Sequence, residues 1–434
     1  MKTKTINTGI ISLGCPKNLA DMEAVFADIE NAKLVEVKKA EIIFLNTCGF
    51  LKAARDEVFE NLKKLKGKKV IVMGCLAGEF TKNEIKKYPQ IHAIVSSANY
   101  KDIQKIFDKV HEGEKVFAVK KEPKTFGKFL GKSLLSPTPY AYIKIAEGCW
   151  NKCSYCMIPY LKGAYRSRAM EEIIQEAKSL IALGIKEIIL VAQDCGFYGS
   201  DLYGKKSLAE LLKKLSEING DFWIRTLYIY PEMIDEELLK IIKSSDKICK
   251  YLDIPLQHGD ANILKEMRRP SNPEKTLERI KNIRKSIPGI SFRTSFIVGF
   301  PGETKSAHKN LMKFIKEINF NNVGVFEYSR EPHTAAFSMK NQLSDSLKKE
   351  RKEEAMLSQQ KISLENNKKF EGKTLEVLIE KYDPIKKIYI GRSQYQTPDI
   401  DGQILVKSKK PLKVNEFAKI KITKADVYDL FGTI

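Results

Sequence analysis

Short apolar runs rich in β-branched residues alternate with helically spaced segments along most of this chain. In residues 1–120 the runs IISL, IIFLNT, VIVMG and HAIVSS alternate with DMEAVFADIE, AARDEVFENLKKL, TKNEIKKY and KDIQKIFDKV. Continuous apolar runs read as buried strands and three- or four-residue spacing as helices, so this part predicts an α/β domain with a parallel sheet. Residues 121–138 lose periodicity and gather Lys, Gly and Pro, which marks a linker. Alternation resumes over residues 139–365, where YIKIA, EIILVA, IRTLYIY, YLDIPLQ, SFRTSFIVGF and NVGVFEYS are read as strands with helices between them. Six β/α units without a closing pair predict an incomplete, TIM-like (β/α)6 barrel, whose reactive groups gather at the carboxyl ends of its strands. A densely charged helical stretch from Ser344 to about Gly372 leads out of it. Residues 366–434 change to short β-rich runs between turn residues and predict a small antiparallel β-barrel.

Composition narrows the setting. A length of 434 residues fits two or three domains. No apolar run approaches the roughly eighteen residues of a membrane span, so a chain away from the membrane is expected. The start, MKTKTINTGIISLGC, imitates a lipoprotein signal, but its apolar stretch is too short and reads equally as a first strand. A cytoplasmic setting follows, and there eight cysteines mean metal or catalysis rather than disulfides. The net charge of +21 is compatible with a nucleic acid or ribonucleoprotein partner. Lysine spread along the whole chain fits compositional bias equally well, and both readings stand.

The chemistry lies in two sets of cysteines. Cys149, Cys153 and Cys156 fall in a C-x3-C-x2-C spacing directly after YIKIA, within AEGCWNKCSYCMIPYLKG. Three thiolates on one loop can wrap a metal centre. A structural zinc site needs four ligands, and no fourth Cys or His stands nearby. A cubane held by three thiolates keeps one iron open to chelate a small molecule. The plainer alternative, three small buried hydrophobes, suits a Gly-flanked loop poorly. In the first domain Cys15, Cys48 and Cys75 each follow a predicted strand. Carboxyl strand ends form the functional crevice of such sheets, so these three are expected to converge as a second three-thiolate site. The alternative is a small residue filling each tight turn. Cys195 and Cys249 lie outside both sets and are read as structural. No phosphate-binding glycine fingerprint, zinc-protease helix or catalytic triad motif is present, and no solenoid repeat.

The C-x3-C-x2-C spacing with Tyr155 before its last cysteine resembles the signature of the radical SAM superfamily. There the open iron holds the amino and carboxylate groups of S-adenosylmethionine (SAM). With the second triplet, the whole chain resembles the methylthiotransferases. SLGCPKN, NTCGF, MGC, VAQD at Val191 to Asp194, YLDIPLQH at Tyr251 to His258 and IGRSQYQTPDIDG look like the branch that modifies ribosomal small-subunit protein S-twelve.

The resemblance implies methylthiolation of an aspartate β-carbon in that protein, within the ribosomal particle, with contact to ribosomal RNA and an electron donor. It also implies two [4Fe–4S] clusters and a TRAM-like terminal barrel. Cys149, Cys153 and Cys156 would hold the SAM-cleaving cluster, and Cys15, Cys48 and Cys75 the sulfur-supplying one. Tyr155, Gln193, Ile297 and Gly299 match places where the superfamily grips SAM, although Ile297 reads equally as barrel core and Gln193 as a strand-end cap. His258 is either a substrate contact or a structural histidine.

Two alternatives remain. A sister branch modifies an isopentenylated adenosine in transfer RNA, but it carries Gln-Met where Pro16-Lys17 stands and Ser with charged residues where Gly49-Phe50 stands. The other is a non-enzymatic iron–sulfur protein that binds RNA. One departure from the family pattern is EPHTAAF, where relatives usually carry glycine near His333. The cysteine-free terminal barrel is expected to dock the partner and to be removable without loss of either cluster.

Overall fold

The computed structural model describes residues 5–118, 134–135, 139–269 and 271–434, so the predicted linker lies largely outside the described residues. The first domain has strands β1 (Ile6–Ser12), β2 (Ala32–Leu34), β3 (Ile42–Thr47), β4 (Lys69–Gly74), β5 (Ile91–Val95) and β6 (Val116–Ala118). All pair in parallel, in the order β2-β1-β3-β4-β5-β6. Its helices are α1 (Pro16–Ala27), α2 (Lys52–Lys64), α3 (Lys82–Lys87) and α4 (Ile103–His111). Every residue of β3 is buried because apolar clusters cover both faces of the sheet, which is why its first four residues read as an apolar run. The edge strand β2 and the edge strand β6 have three residues each and carried no visible pattern.

The central domain begins with β7 (Tyr140–Lys144) and a short antiparallel ladder of β8 (Ala146–Glu147) with β9 (Arg166–Ser167), enclosing α5 (Ile158–Lys162). There follow α6 (Met170–Ala182), β10 (Glu187–Val191), α7 (Leu208–Ser216), β11 (Trp223–Thr226), α8 (Glu236–Ser244) and β12 (Tyr251–Asp253). The series ends with α9 (Ala261–Glu266), α10 (Pro273–Ser286), β13 (Ser291–Val298), α11 (Lys305–Ile318) and β14 (Asn322–Glu327). The strands pair in parallel as β7-β10-β11 and β12-β13-β14. Main-chain bonds from Ile224 N to Lys247 O (2.8 Å) and from Ile229 N to Asp253 O (2.9 Å) join the two groups into one arc. Helices start where the sequence supplies acceptors: Asp235, Asn272 and Thr304 cap α8, α10 and α11.

The long helix α12 (Asp345–Lys368) docks on this arc through a buried carboxylate. Glu303 is 3.1 Å from Arg351 Nη1 and 3.3 Å from His308 Nδ1, and it accepts the amides of Gly299 and Phe300. Burial alone would raise its pKa, but the neighbouring His258 and His308 and the charge of Arg351 lower it from 4.5 to about 2. A depressed carboxylate contributes stability that is present above the unfolded pKa and lost as pH falls toward the folded one. Glu303→Gln should therefore cost on the order of 2–3 kcal/mol at neutral pH, a gap that closes between pH 4.5 and about 2. Denaturation midpoints of both proteins across that window test this, and a constant gap would rule the carboxylate out as its source.

The last domain has β15 (Thr374–Asp383), β16 (Ile388–Arg392), β17 (Ile404–Lys407), β18 (Glu416–Ala425) and β19 (Leu430–Thr433). They close into a barrel in the order β15-β16-β17-β19-β18. Every seam is antiparallel except β17 with β19, which is parallel. Closure leaves no open sheet edge.

Both flanking domains reach into the central arc. Ala20 of α1 and Leu378 of β15 are buried with Tyr142, Ile189, Val191 and Leu227, and Trp223 meets Phe417 at 4.6 Å. Beside this apolar filling lies a buried ionic floor. Glu187 bonds Arg225 Nε (2.6 Å) and Arg392 Nη2 (2.6 Å), Arg225 Nη1 donates to Gln394 O (3.0 Å), and Asp401 accepts from Tyr251 Oη (2.7 Å). The terminal barrel thus shares buried apolar and charged contacts with the central domain, several of them charges without access to water. Among the described residues no helix is long and apolar enough to cross a membrane.

Candidate active site

The first cysteine loop leaves β8 through Gly148, whose φ is +78° and where a Cβ would lie 2.1 Å from Ala164 O. Only glycine fits that turn. Cys149 N donates to Gly163 O (3.2 Å) and Cys156 N to Cys153 O (3.1 Å), so the loop curls on itself. The amides of Asn151 and Ile158 each point at a sulfur, 3.4 Å from Cys149 Sγ and 3.4 Å from Cys156 Sγ.

Three anchors fix the loop to the barrel. Ser154 donates from N to Met267 O (3.0 Å) and from Oγ to Glu266 O (2.7 Å). Asn151 Nδ2 donates to Asp194 Oδ2 (3.2 Å) at the end of β10, where burial pushes the Asp194 carboxyl up to about 6. Arg269 lies over the Tyr230 ring at 3.8 Å with Nη1 3.8 Å from Cys153 Sγ. Burial raises the thiol pKa values, to about 11 for Cys149 and about 12 for Cys156.

The second set comes from three adjacent strands, as the strand-then-cysteine pattern predicts. Cys15, Cys48 and Cys75 follow β1, β3 and β4, which are neighbours in the sheet. Gly14 has φ +93°, and a Cβ there would lie 2.8 Å from Cys48 Cβ, so a side chain would push two of the turns apart. Asn18 ties all three turns together. Its Nδ2 donates to Leu13 O (2.9 Å) and to Thr47 O (3.1 Å), and its Oδ1 accepts from Cys75 Sγ at 3.6 Å. Burial raises the Cys48 thiol and pushes Cys75 to about 12.

Buried lysines connect the surroundings of the two sets. Lys17, two residues after Cys15, reaches the central domain, where Nζ donates to Ala192 O (3.4 Å) and lies 4.3 Å over the Tyr228 ring. Burial opposes its charge, yet Cys15, Tyr228 and other groups hold its pKa above the ordinary lysine value. From the other side buried Lys162, on the helix after Cys156, pairs with Glu147 at 3.8 Å. Burial works against that ammonium too, while Glu147 and Cys75 keep it charged.

The thiols fit iron–sulfur clusters. All eight cysteines are free, the six of the two sets are partly exposed, and Cys195 and Cys249 are buried, as structural residues should be. Among the described residues no three Cys, His, Asp or Glu close tightly enough for a single ion. A cluster of several irons is wider than an ion and takes more widely spaced thiolates.

The four residues matched to SAM fare differently. Gln193 donates from Nε2 to Glu147 Oε1 (3.0 Å), while its buried Oε1 has no partner among the described residues. Tyr155 and Ile297 meet in one apolar cluster with Phe300 and Tyr328. Gly299 gives its amide to Glu303 and packs beneath Lys348, where a Cβ would lie 2.2 Å from Cγ; its amide is not free for a cofactor. His258 is buried, accepts Asp260 N at Nδ1 (3.0 Å) and lies 3.8 Å from Glu303, so its surroundings are structural.

Comparison with known proteins sets the class first. Residues 143–315 match the Radical SAM superfamily, residues 372–434 the TRAM domain and residues 7–96 the Uncharacterized protein family UPF0004. A radical S-adenosylmethionine methyltransferase, TsrM from Kitasatospora setae, shares the fold with a TM-score of 0.55 at 14% identity, over 76% of this chain and 74% of that one. The chain is 44% identical to the ribosomal protein uS12 methylthiotransferase RimO of Thermoanaerobacter sp. (strain X514), over 98% of this chain and 99% of the relative. It is 43% identical to the protein of the same description from Clostridioides difficile (strain 630), over 98% and 97%. The chain belongs to the RimO family of radical SAM methylthiotransferases. It is an enzyme of that class, whose cofactors are SAM and [4Fe–4S] clusters.

Proposed function

We propose that this chain adds a methylthio group to the β-carbon of an aspartate in ribosomal protein uS12. It would act in the cytoplasm, on the ribosomal particle, with an external electron donor. The observation that carries this reading is a three-cysteine set on each of two domains, with Lys17 beside Cys15 reaching the central domain at Ala192 and Lys162, close after Cys156, buried against Glu147. Cys149, Cys153 and Cys156 would hold one cluster and Cys15, Cys48 and Cys75 the other. Bound there with SAM, they would supply the radical and the sulfur that an unactivated C–H bond requires.

The remaining work belongs to side chains. The unpartnered Oε1 of Gln193 suits the amino group of SAM, and Tyr155 with Ile297 offers an apolar wall. Gly299 serves the turn that admits α12. The +21 charge favours a particle rich in phosphate, including ribosomal RNA. Mass spectrometry of uS12 from a strain lacking this gene and from the same strain complemented tests the reading. The methylthio mass should vanish and return. An unchanged uS12, with a methylthioadenosine missing from transfer RNA, would assign the enzyme to the sister reaction.

A further inference from the structure

The loop after β14 carries a carboxylate that serves the first domain. Glu331 is 2% exposed, and its Oε1 accepts from Lys52 N at 2.8 Å across 279 residues of sequence. Its Oε2 lies 2.6 Å from Arg55 Nη2. Lys52 opens α2, and Leu51 at that helix's N-cap offers no side-chain acceptor. Glu331 thus supplies from another domain the anion that the exposed amides of a helix start favour. Arg55 in turn donates from Nη1 to Gly49 O at 3.2 Å. Gly49 directly follows Cys48, so the carboxylate reaches one turn of the second cysteine set through a single side chain.

The same loop is fastened at two further points. Ala336 N donates to Ser154 O at 2.7 Å, between Cys153 and Cys156. His333, at φ +64°, stacks on Tyr160 with ring centres 4.2 Å apart and planes 6° from parallel. Tyr160 Oη donates to Glu79 Oε2 at 3.3 Å, in the turn after Cys75. Within the loop Thr334 Oγ1 donates to Glu331 O at 2.7 Å, which stiffens the span between the fastenings.

We propose that residues 331–336 form a strut that fixes the spacing and orientation of the two cysteine sets, with Glu331 as its positioning residue. Sulfur transfer between sites on different domains requires that alignment, whereas SAM cleavage at one of them does not. This use of the strut rests on the proposed methylthiolation; the strut itself does not.

Full-length Glu331→Ala and Glu331→Gln, cluster-free and reconstituted, test it. In Glu331→Ala, amide exchange across residues 49–56 of the cluster-free chain should quicken by about tenfold or more, as a lost cap and ion pair release the first turn. Iron content should hold, while deoxyadenosine formed per methylthiolated product rises by about tenfold. Glu331→Gln keeps an acceptor for Lys52 and should fall between alanine and native in both readouts. Unchanged exchange overturns the strut whatever the substrate. Faster exchange with a native product ratio overturns the positioning role and leaves a helix cap. If Glu331→Ala loses iron, Arg55→Gln decides: a raised ratio supports the strut and a native ratio overturns it. A native enzyme that makes no methylthiolated uS12 counts against the substrate and leaves the exchange result standing.

Discussion

Cys153→Ala is expected to abolish SAM cleavage while the protein keeps roughly half its iron, and Cys48→Ala to spare cleavage while abolishing sulfur transfer. The asymmetry follows from where the sulfurs sit. Cys153 lies on the Gly148–Gly163 loop, next to Arg269 and anchored through Ser154 to the end of α9. Cys48 lies across the domain boundary, on a turn packed against Gly14 and bound to the rest of its set by Asn18. Among the described residues no hydrogen bond or ion pair joins Cys48 to the first loop, so loss of its thiol should leave that loop as it is. Anaerobic reconstitution with iron counting, followed by deoxyadenosine measurement in the presence of a reductant, provides the check. If Cys48→Ala stopped SAM cleavage in a protein still holding its first cluster, the division of labour between the sets would be wrong.

Loss of the terminal barrel should destroy the central domain rather than merely slow its work on the ribosome. Glu187, Arg225 and Arg392 are each at most 1% exposed, and Arg392 also bonds Glu380 at 2.6 Å. Burial disfavours the Glu187 charge, but the two guanidiniums keep its pKa below the ordinary carboxylate value. Breaking such a buried pair by removing one partner costs about 3–5 kcal/mol. Arg392→Ala should therefore lower the melting temperature of the cluster-free chain by about 10 °C. Deletion of residues 374–434, which also removes Leu378 and Phe417 from the core, should leave no soluble folded protein. A truncated chain that melts cooperatively near the native temperature would return the barrel to the status of a docking module.

Much of this was legible in the sequence, for identifiable reasons. Strands β3 and β10 are buried along their whole length, so most of their positions are apolar, and a cysteine after each of β1, β3 and β4 marks one edge of a parallel sheet. What stayed hidden depends on partners far away in the chain. Arg269 is 116 residues from Cys153, and nothing in MRRPSN announces a thiol neighbour. Asn18 stood inside SLGCPKN, yet its function depends on which turns surround it. Gly299 was correctly placed at a strand end, but whether its amide was free depended on the rotamer of Glu303 four residues on. The parallel seam between β17 and β19 could not be read at all, because alternation reports which face is buried and not which direction the neighbour runs.

The placement of α1 also bears on motion. Cys15 stands at its N-cap, while Leu19 and Ala20, little more than one turn onward, are wedged inside the central arc. That is a lever of roughly 6–8 Å of stiff helix. Any shear of the first domain against the barrel would bear on α1, which Asn18 ties to the turns of Cys48 and Cys75 while Leu19 and Ala20 sit in the arc. The ligand set is therefore coupled through one helix to whatever motion occurs at the domain boundary.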